Sequence, residues 1–275
     1  MADNCYLCDY HIHTSHSFDA RNTIDEACRA AVRNGVNEIG FADHVGIDPS
    51  DEAYEALDFD RYFEDVEKAR KQYDGKLKIK LGVEIDFRST VINETRLFLE
   101  KHDFDYVIGG LHYLDGKIVL STDIFTQNPV EEVWSRYFDE LLMMAQADLF
   151  DIIAHFDIPK RAYVPLHGRF DWKPYKEQIR AILAEIIKNE SVLEINSSGI
   201  RKQADEILPS PGIINLYRQL GGKFISFGSD AHSAPKVGCD FDIAIQAAES
   251  AGFTHMTTFA ARERKLVPIR NRSGH

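Results

Sequence analysis

Only four cysteines occur in the 275 residues, at positions 5, 8, 28 and 239. They are too few and too scattered to staple a fold of this length with disulfides. Cys5 and Cys8 have CxxC spacing, but a strand turns an i,i+3 pair to opposite sides and no second pair follows. They read as core or surface thiols rather than as a metal or redox pair. No stretch reaches 18 consecutive apolar residues, and no basic segment leads into an apolar run with a cleavage site. The expectation is a cytoplasmic protein with no membrane association. Basic charge is also scarce: 32 Lys and Arg face 44 Asp and Glu, for a net charge of −12. That balance argues against routine binding to nucleic acid or an anionic membrane. The glycine fingerprint of an open dinucleotide-binding sheet is missing too.

At 44% hydrophobic content the chain can bury one large core, and residues 1–275 read as a single domain. Short apolar segments at 5–9, 38–43, 78–86, 106–112, 149–154, 192–196 and 223–228 read as strands. Helical periodicity or helix-start signals fall between them. Thr23 with Glu26 three residues on makes a capping box, and apolar positions 59, 62, 63, 66, 69 and 73 share one helical face. Further helices are expected at 91–101, after Asn128-Pro129, at 173–189, after Ser210-Pro211 and from about 237. The acidic stretch 45–58 reads as a rim, 113–127 as a loop excursion, and 255–259 as a last extended piece. Strand then helix, repeated about seven times, predicts an α/β parallel barrel resembling a TIM barrel, with its chemistry at the C-terminal ends of the strands.

Those ends carry an unusual set of side chains. His11 and His13, spaced i,i+2, point to one side of an extended backbone. Asp19, His44, Glu84, His112, His155, Asp230 and His232 lie at or just past the ends of other expected strands. A strand-end histidine alone is often a satisfied core residue, and Asp19 alone could be a helix cap. A shared position for so many of 11 histidines is not expected from random scatter. One divalent ion needs three or four protein ligands, so nine candidates imply two or three ions. Imidazole and carboxylate suit zinc, manganese or iron alike. Glu84, set among apolar neighbours, needs cations beside it and is the best bridge between two ions. Such a cluster would activate water and stabilise charge on a transferred group. His102, His167, His255 and His275 lack this context.

Basic doublets favour a phosphate. Lys160-Arg161 follows the fifth strand and Arg201-Lys202 the sixth, and a guanidinium fork with a lysine point charge holds phosphate oxygens well. A solvated surface doublet is the bland alternative. His16 is placed beside the metal ligands or against the leaving group, with a surface position as the bland alternative.

At His11-Ile12-His13, Phe41-Ala42-Asp43-His44, Gly82-Val83-Glu84, Gly110-Leu111-His112, Ala154-His155-Phe156 and Ser229-Asp230-Ala231-His232, the chain resembles the polymerase and histidinol phosphatase (PHP) superfamily. These are metal-dependent phosphoesterases, and the resemblance implies a distorted (β/α)7 barrel. It also implies three ligand groups: His11, His13, Glu84 and Asp230; Glu84, His112 and His155; and Asp19, His44 and His232. Asp19 stands where some branches have histidine. The stretches 155–161 and 196–202 look like the histidinol-phosphate phosphatase branch. That branch implies hydrolysis of L-histidinol phosphate to L-histidinol and inorganic phosphate, a step of histidine biosynthesis, with Arg161 and Arg201 on the phosphate and Asp230 also orienting the nucleophile. Leaving-group protonation would fall to His16 or to water at the cluster. The rivals are a PHP phosphoesterase for nucleotides, sugar phosphates or phosphotyrosine, a metal-dependent amidohydrolase, and a non-enzymatic metal-binding or exonuclease-associated module. Oligomeric state is not legible in the sequence.

Overall fold

A computed structural model describes residues 6–269; Cys5 and His275 lie outside them. Its strands are β1 Cys8–Ile12, β2 Glu38–Val45, β3 Lys78–Asp86, β4 Tyr106–Gly110, β5 Tyr113–Leu114, β6 Lys117–Ile118, β7 Ile152–Ile153, β8 Val192–Asn196, β9 Ile225–Gly228, β10 His255–Ala260 and β11 Glu263–Pro268. Its α-helices are α1 Ile24–Arg33, α2 Phe59–Gln72, α3 Ile92–Leu99, α4 Asp123–Thr126, α5 Val130–Ala147, α6 Lys160–His167, α7 Lys176–Lys188, α8 Ser198–Arg201, α9 Pro211–Gln219 and α10 Phe241–Ser250.

Seven strands form one parallel sheet in the order β1-β2-β3-β4-β7-β8-β9. A parallel bridge between Ile12 and Ala231 brings its two edges together. His13 N–H donates to the Ala231 carbonyl at 2.9 Å and Ala231 N–H to the His11 carbonyl at 3.2 Å. The result is the expected TIM-barrel-like single domain with seven strands. β1 begins three residues later than the expected 5–9, because Cys8 is the residue that pairs with Glu38.

Local sequence explains most of the outer layer. Thr23 and Glu26 form the expected capping box at the start of α1. Val133, Trp134, Tyr137, Phe138 and Leu141 recur on one face of α5 and are buried there. Ile179, Ile182, Leu183 and Ile186 do the same on α7; each such side chain, fully buried, stabilises by roughly 1.5–3 kcal/mol. Inside the barrel the Tyr106 side chain lies where side chains at positions 40 and 82 would be: a Cβ would come within 2.3 Å of its hydroxyl and 2.7 Å of its ring at Gly40, and 2.4 Å of its ring at Gly82. Its hydroxyl bonds the carbonyls of Tyr10 and Phe41, both at 2.8 Å.

The last extended piece does not close the barrel. It is half of an antiparallel hairpin, β10 with β11. Phe259 packs edge-on to Tyr10, and Arg262 bonds Asp151 Oδ2 at 2.8 Å. Asp105 and Asp151 precede β4 and β7, so the hairpin covers the N-terminal mouth, opposite the site. The 113–127 excursion contains the small β5–β6 hairpin and α4. The stretch after Pro159 is helix α6.

Candidate metal centre

The barrel brings every candidate ligand to one end. His44 on β2 lies in register with Glu84 on β3, so a ring and a carboxylate stand side by side. Gly110 ends β4 against Glu84; a Cβ there would lie 2.4 Å from Glu84 Oε1 and 2.9 Å from His112 Cε1. Gly228 plays the same part at the end of β9, where a Cβ would meet Glu194 Oε1 at 2.0 Å and His11 Cβ at 2.7 Å. Two further candidates sit in strained backbone. His155 has φ +25° and Asp230 φ +50°, both in the left-handed region that non-glycine residues avoid.

Four groups of donors converge among the described residues. They are His13, Asp19, His44 and His232; His11, His13 and Asp230; His11, Glu84 and His155; and His44, Asp86 and His112. Glu84 is the hub. His155 Nε2 lies 2.8 Å from its Oε1 and His112 Nε2 3.7 Å; His11, His44 and His13 lie 3.2, 3.4 and 3.5 Å from its Oε2. Asp19 Oδ2 is 2.8 Å from His232 Nε2 and 3.6 Å from His44 Nε2.

Burial opposes ionisation of Glu84, but His11, His112 and His44 around it hold its carboxyl well below the usual carboxylate range. Burial pushes the His13 ring well down, with His232, His44 and His11 adding to the effect, and burial also lowers His155. Neutral imidazoles are the form that ligates metal. His11 goes the other way, raised by Glu194 and Glu84 against its burial.

This donor set fits divalent ions. His11 Nε2 lies 3.1 Å from His13 Nε2, and His112 Nε2 lies 3.2 Å from His155 Nε2. Two neutral imidazoles can share one proton at such a contact, yet the same nitrogens also crowd one carboxylate. Cations between the lone pairs and Glu84 satisfy both. The buried Nδ1 atoms of His13, His44 and His155 have no hydrogen-bond partner. Nine of the nine candidates are therefore gathered, and the residues are those of a centre for more than one metal ion.

The basic residues divide. Arg161 donates to Asp230 Oδ2 at 2.7 Å and also bonds Ser198 Oγ. Lys202 Nζ lies 3.8 Å from the same carboxylate oxygen. Both line a cavity of about 240 Å³ with Asp19, Glu84, His112 and Asp230. Burial opposes ionisation of Asp230, while Lys202 and Arg161 keep its carboxyl well below the usual range.

Three of the expected residues lie outside the cavity wall. Lys160, expected at the phosphate, is fully buried elsewhere: its Nζ lies 3.0 Å from Asp157 Oδ2 and 2.8 Å from Glu206 Oε1, and it donates to Ser210 Oγ at 2.9 Å. Arg201 has partners beside the cavity rather than in its wall. It donates to Asp240 Oδ2 and to the Ser229 carbonyl, each at 2.6 Å, and is absent from the cavity wall. His16 turns away to Asp65 Oδ2 at 3.2 Å and the Tyr62 ring, in a separate depression beside α2.

Sequence reasoning missed two carboxylates. Asp86 bonds His112 Nδ1 and lies 3.7 Å from His44 Nδ1. It stands two residues after Glu84 on the same strand, the spacing that singled out His11 and His13. Glu194 Oε1 is 2.6 Å from His11 Nδ1, and its Oε2 accepts from His155 N–H at 2.8 Å. It fixes the ring orientation of one ligand and the strained backbone of another.

The PHP domain model matches residues 9–198. A probable histidinol-phosphatase of Clostridium acetobutylicum is 30% identical over 246 residues, 88% of this chain and 92% of that protein. The histidinol-phosphatase of Lactococcus lactis is 28% identical across 92% of this chain and 94% of its own length. A crystal structure of histidinol phosphate phosphatase from Lactococcus lactis, complexed with zinc, L-histidinol and phosphate, superposes with a TM-score of 0.86. It covers 95% of this chain and 99% of the other at 24% identity, a likeness of fold.

Proposed function

This chain belongs to the PHP domain family, and we propose that it is a metal-dependent phosphomonoesterase that hydrolyses L-histidinol phosphate to L-histidinol and inorganic phosphate. One observation carries the phosphate end of this reading: Arg161 and Lys202 converge on Asp230 in the wall of the same cavity that presents the metal donors. In a chain of net charge −12, two cations beside a carboxylate-rich centre call for an anion. The histidinol end rests on the relatives of near-equal length.

His11, His13 and Asp230 would hold one ion, Glu84 with His155 and His112 a second, and Asp19, His44 and His232 a third. When bound, such ions bring the pKa of water near neutrality and stabilise charge on phosphoryl oxygens. Zinc suits this donor set, as do manganese and iron. The chain's own groups supply the rest. Arg161 offers a guanidinium fork and Lys202 a mobile ammonium to the phosphate oxygens, stabilising charge that builds up as the ester bond breaks. Asp230, by accepting from Arg161, aims that fork into the cavity. Glu194, through His11 and the His155 backbone, keeps two donors in place. Of the acidic rim, Glu52 lines the cavity wall, where its carboxylate would pair with the amino group of histidinol.

The test is phosphate release across L-histidinol phosphate, nucleotides, sugar phosphates, phosphotyrosine and a phosphodiester, after separate zinc, manganese and iron reconstitution. The expected result is a kcat/KM for L-histidinol phosphate at least ~10²-fold above every other ester, about 2.7 kcal/mol of discrimination. Preference for another ester would keep the chemistry and move the substrate.

A further inference from the structure

Tyr113 directly follows His112 and opens the β5–β6 hairpin, whose return brings Ile118 and Leu120 onto the same cavity wall. Arg88 lies behind it, with its guanidinium carbon 3.8 Å from the Tyr113 ring centroid. The Arg88 side chain is only 10% exposed, and its Nε and Nη2 have no hydrogen-bond partner. The nearest carboxylate, Asp51, keeps its Oδ2 at 3.9 Å and is itself unpartnered there. Burying a cation with unmet donors is costly unless a ring face compensates, so the contact that fixes Arg88 is with Tyr113. The loops after β3 and β4 therefore meet at one aromatic ring in the cavity wall beside the metal donors.

We propose that Tyr113, braced from behind by Arg88, is the platform on which the planar ring of the leaving group stacks, and so selects phosphate esters of ring-bearing amino alcohols. The proposal rests on the histidinol phosphatase reading and adds a specificity determinant to it. Tyr113 touches the substrate; Arg88 is a positioning residue acting through it. A ring held in place before binding loses no rotamer freedom when the ligand arrives, which favours affinity. The far end of the cavity has the complementary chemistry, because Ile118 and Leu120 cannot satisfy a second phosphate or a sugar but can cover an apolar ring edge.

The experiment compares wild type with Tyr113→Leu, Tyr113→Phe, Arg88→Met and Arg88→Lys. Each is assayed for KM and kcat on L-histidinol phosphate and for inhibition by L-histidinol and, separately, by inorganic phosphate. Tyr113→Leu keeps apolar volume and removes the planar face. It is expected to raise KM and the inhibition constant of L-histidinol roughly tenfold, the scale of one aromatic stack. kcat should stay within about threefold and phosphate inhibition within about twofold of wild type. Tyr113→Phe should stay close to wild type, Arg88→Met should show the same pattern at about threefold, and Arg88→Lys should recover part of it. Parallel weakening of phosphate and L-histidinol would mark a merely structural role and overturn the proposal, as would an unchanged L-histidinol constant. If wild type itself fails to cleave L-histidinol phosphate, the functional reading falls with it; if wild type cleaves it and Tyr113→Leu binds L-histidinol normally, only the platform falls.

Discussion

Lys160→Met separates the buried ion cluster from the phosphate role that the sequence suggested. The Lys160 ammonium is fully buried, with Asp157 Oδ2 at 3.0 Å, Glu206 Oε1 at 2.8 Å, Ser210 Oγ at 2.9 Å and the Ile207 carbonyl at 3.1 Å. Methionine fills nearly the same volume and removes the charge. Asp157, also fully buried, keeps its bonds from Ser210 N–H and Oγ, both at 2.9 Å, but loses its cation. Breaking a buried pair from one side costs about 3–5 kcal/mol. An unfolding entropy of about 2.1 cal/mol/K per residue gives about 0.58 kcal/mol/K for a chain of this length, so Tm should fall by roughly 5–9 °C. The double variant Lys160→Met/Asp157→Asn removes the orphaned charge and should recover about half of that. Differential scanning calorimetry reads both. At 25 °C the single variant should keep kcat/KM within about fivefold, because α6 still presents Arg161. A Tm drop below about 2 °C would show that the ammonium compensates nothing. A hundredfold activity loss at unchanged Tm would restore the phosphate role.

Glu84→Gln should lower bound metal by at least one ion per chain, measured by inductively coupled plasma mass spectrometry; full stoichiometry would refute the hub role assigned to Glu84. Arg262→Ala removes the 2.8 Å bond to Asp151, whose carboxyl is already pushed up by burial despite Arg262. A raised folded pKa means that stability is fully present below the unfolded pKa and is lost as pH rises through the folded one. The deficit of this variant, about 1–2 kcal/mol at pH 7, should therefore shrink towards pH 4, and a deficit that grows on acidification would contradict the assignment. Gly82→Ala places a Cβ 2.4 Å from Tyr106, which two carbonyls hold in place. Overpacking of this kind costs about 1–3 kcal/mol, and an unchanged Tm would mean that the ring moves freely.

The residues legible in the sequence are those whose meaning is local. A two-residue spacing turns His11 and His13 to one side of a strand whatever surrounds them, and Thr23 with Glu26 caps a helix without outside help. Asp86 obeys the same spacing rule relative to Glu84 and was within reach. Glu194 was not, because its meaning lies in His11, 183 positions away, and nothing near it in the chain mentions that partner. The basic doublets divide for a geometric reason. Successive residues on an α-helix differ by about 100° around the axis, so adjacent side chains cannot both face one ligand. α6 begins at Lys160, which sends that ammonium to Asp157 and Glu206 and leaves Arg161 facing Asp230. At the end of α8 the choice is reversed: Arg201 goes to Asp240, and Lys202 lines the cavity. Which member of such a pair lines the cavity depends on where the helix begins, and the boundary of a short helix is set by tertiary contacts. The doublets thus marked two strand ends where cations gather, while the barrel decided which of them lines the cavity at each.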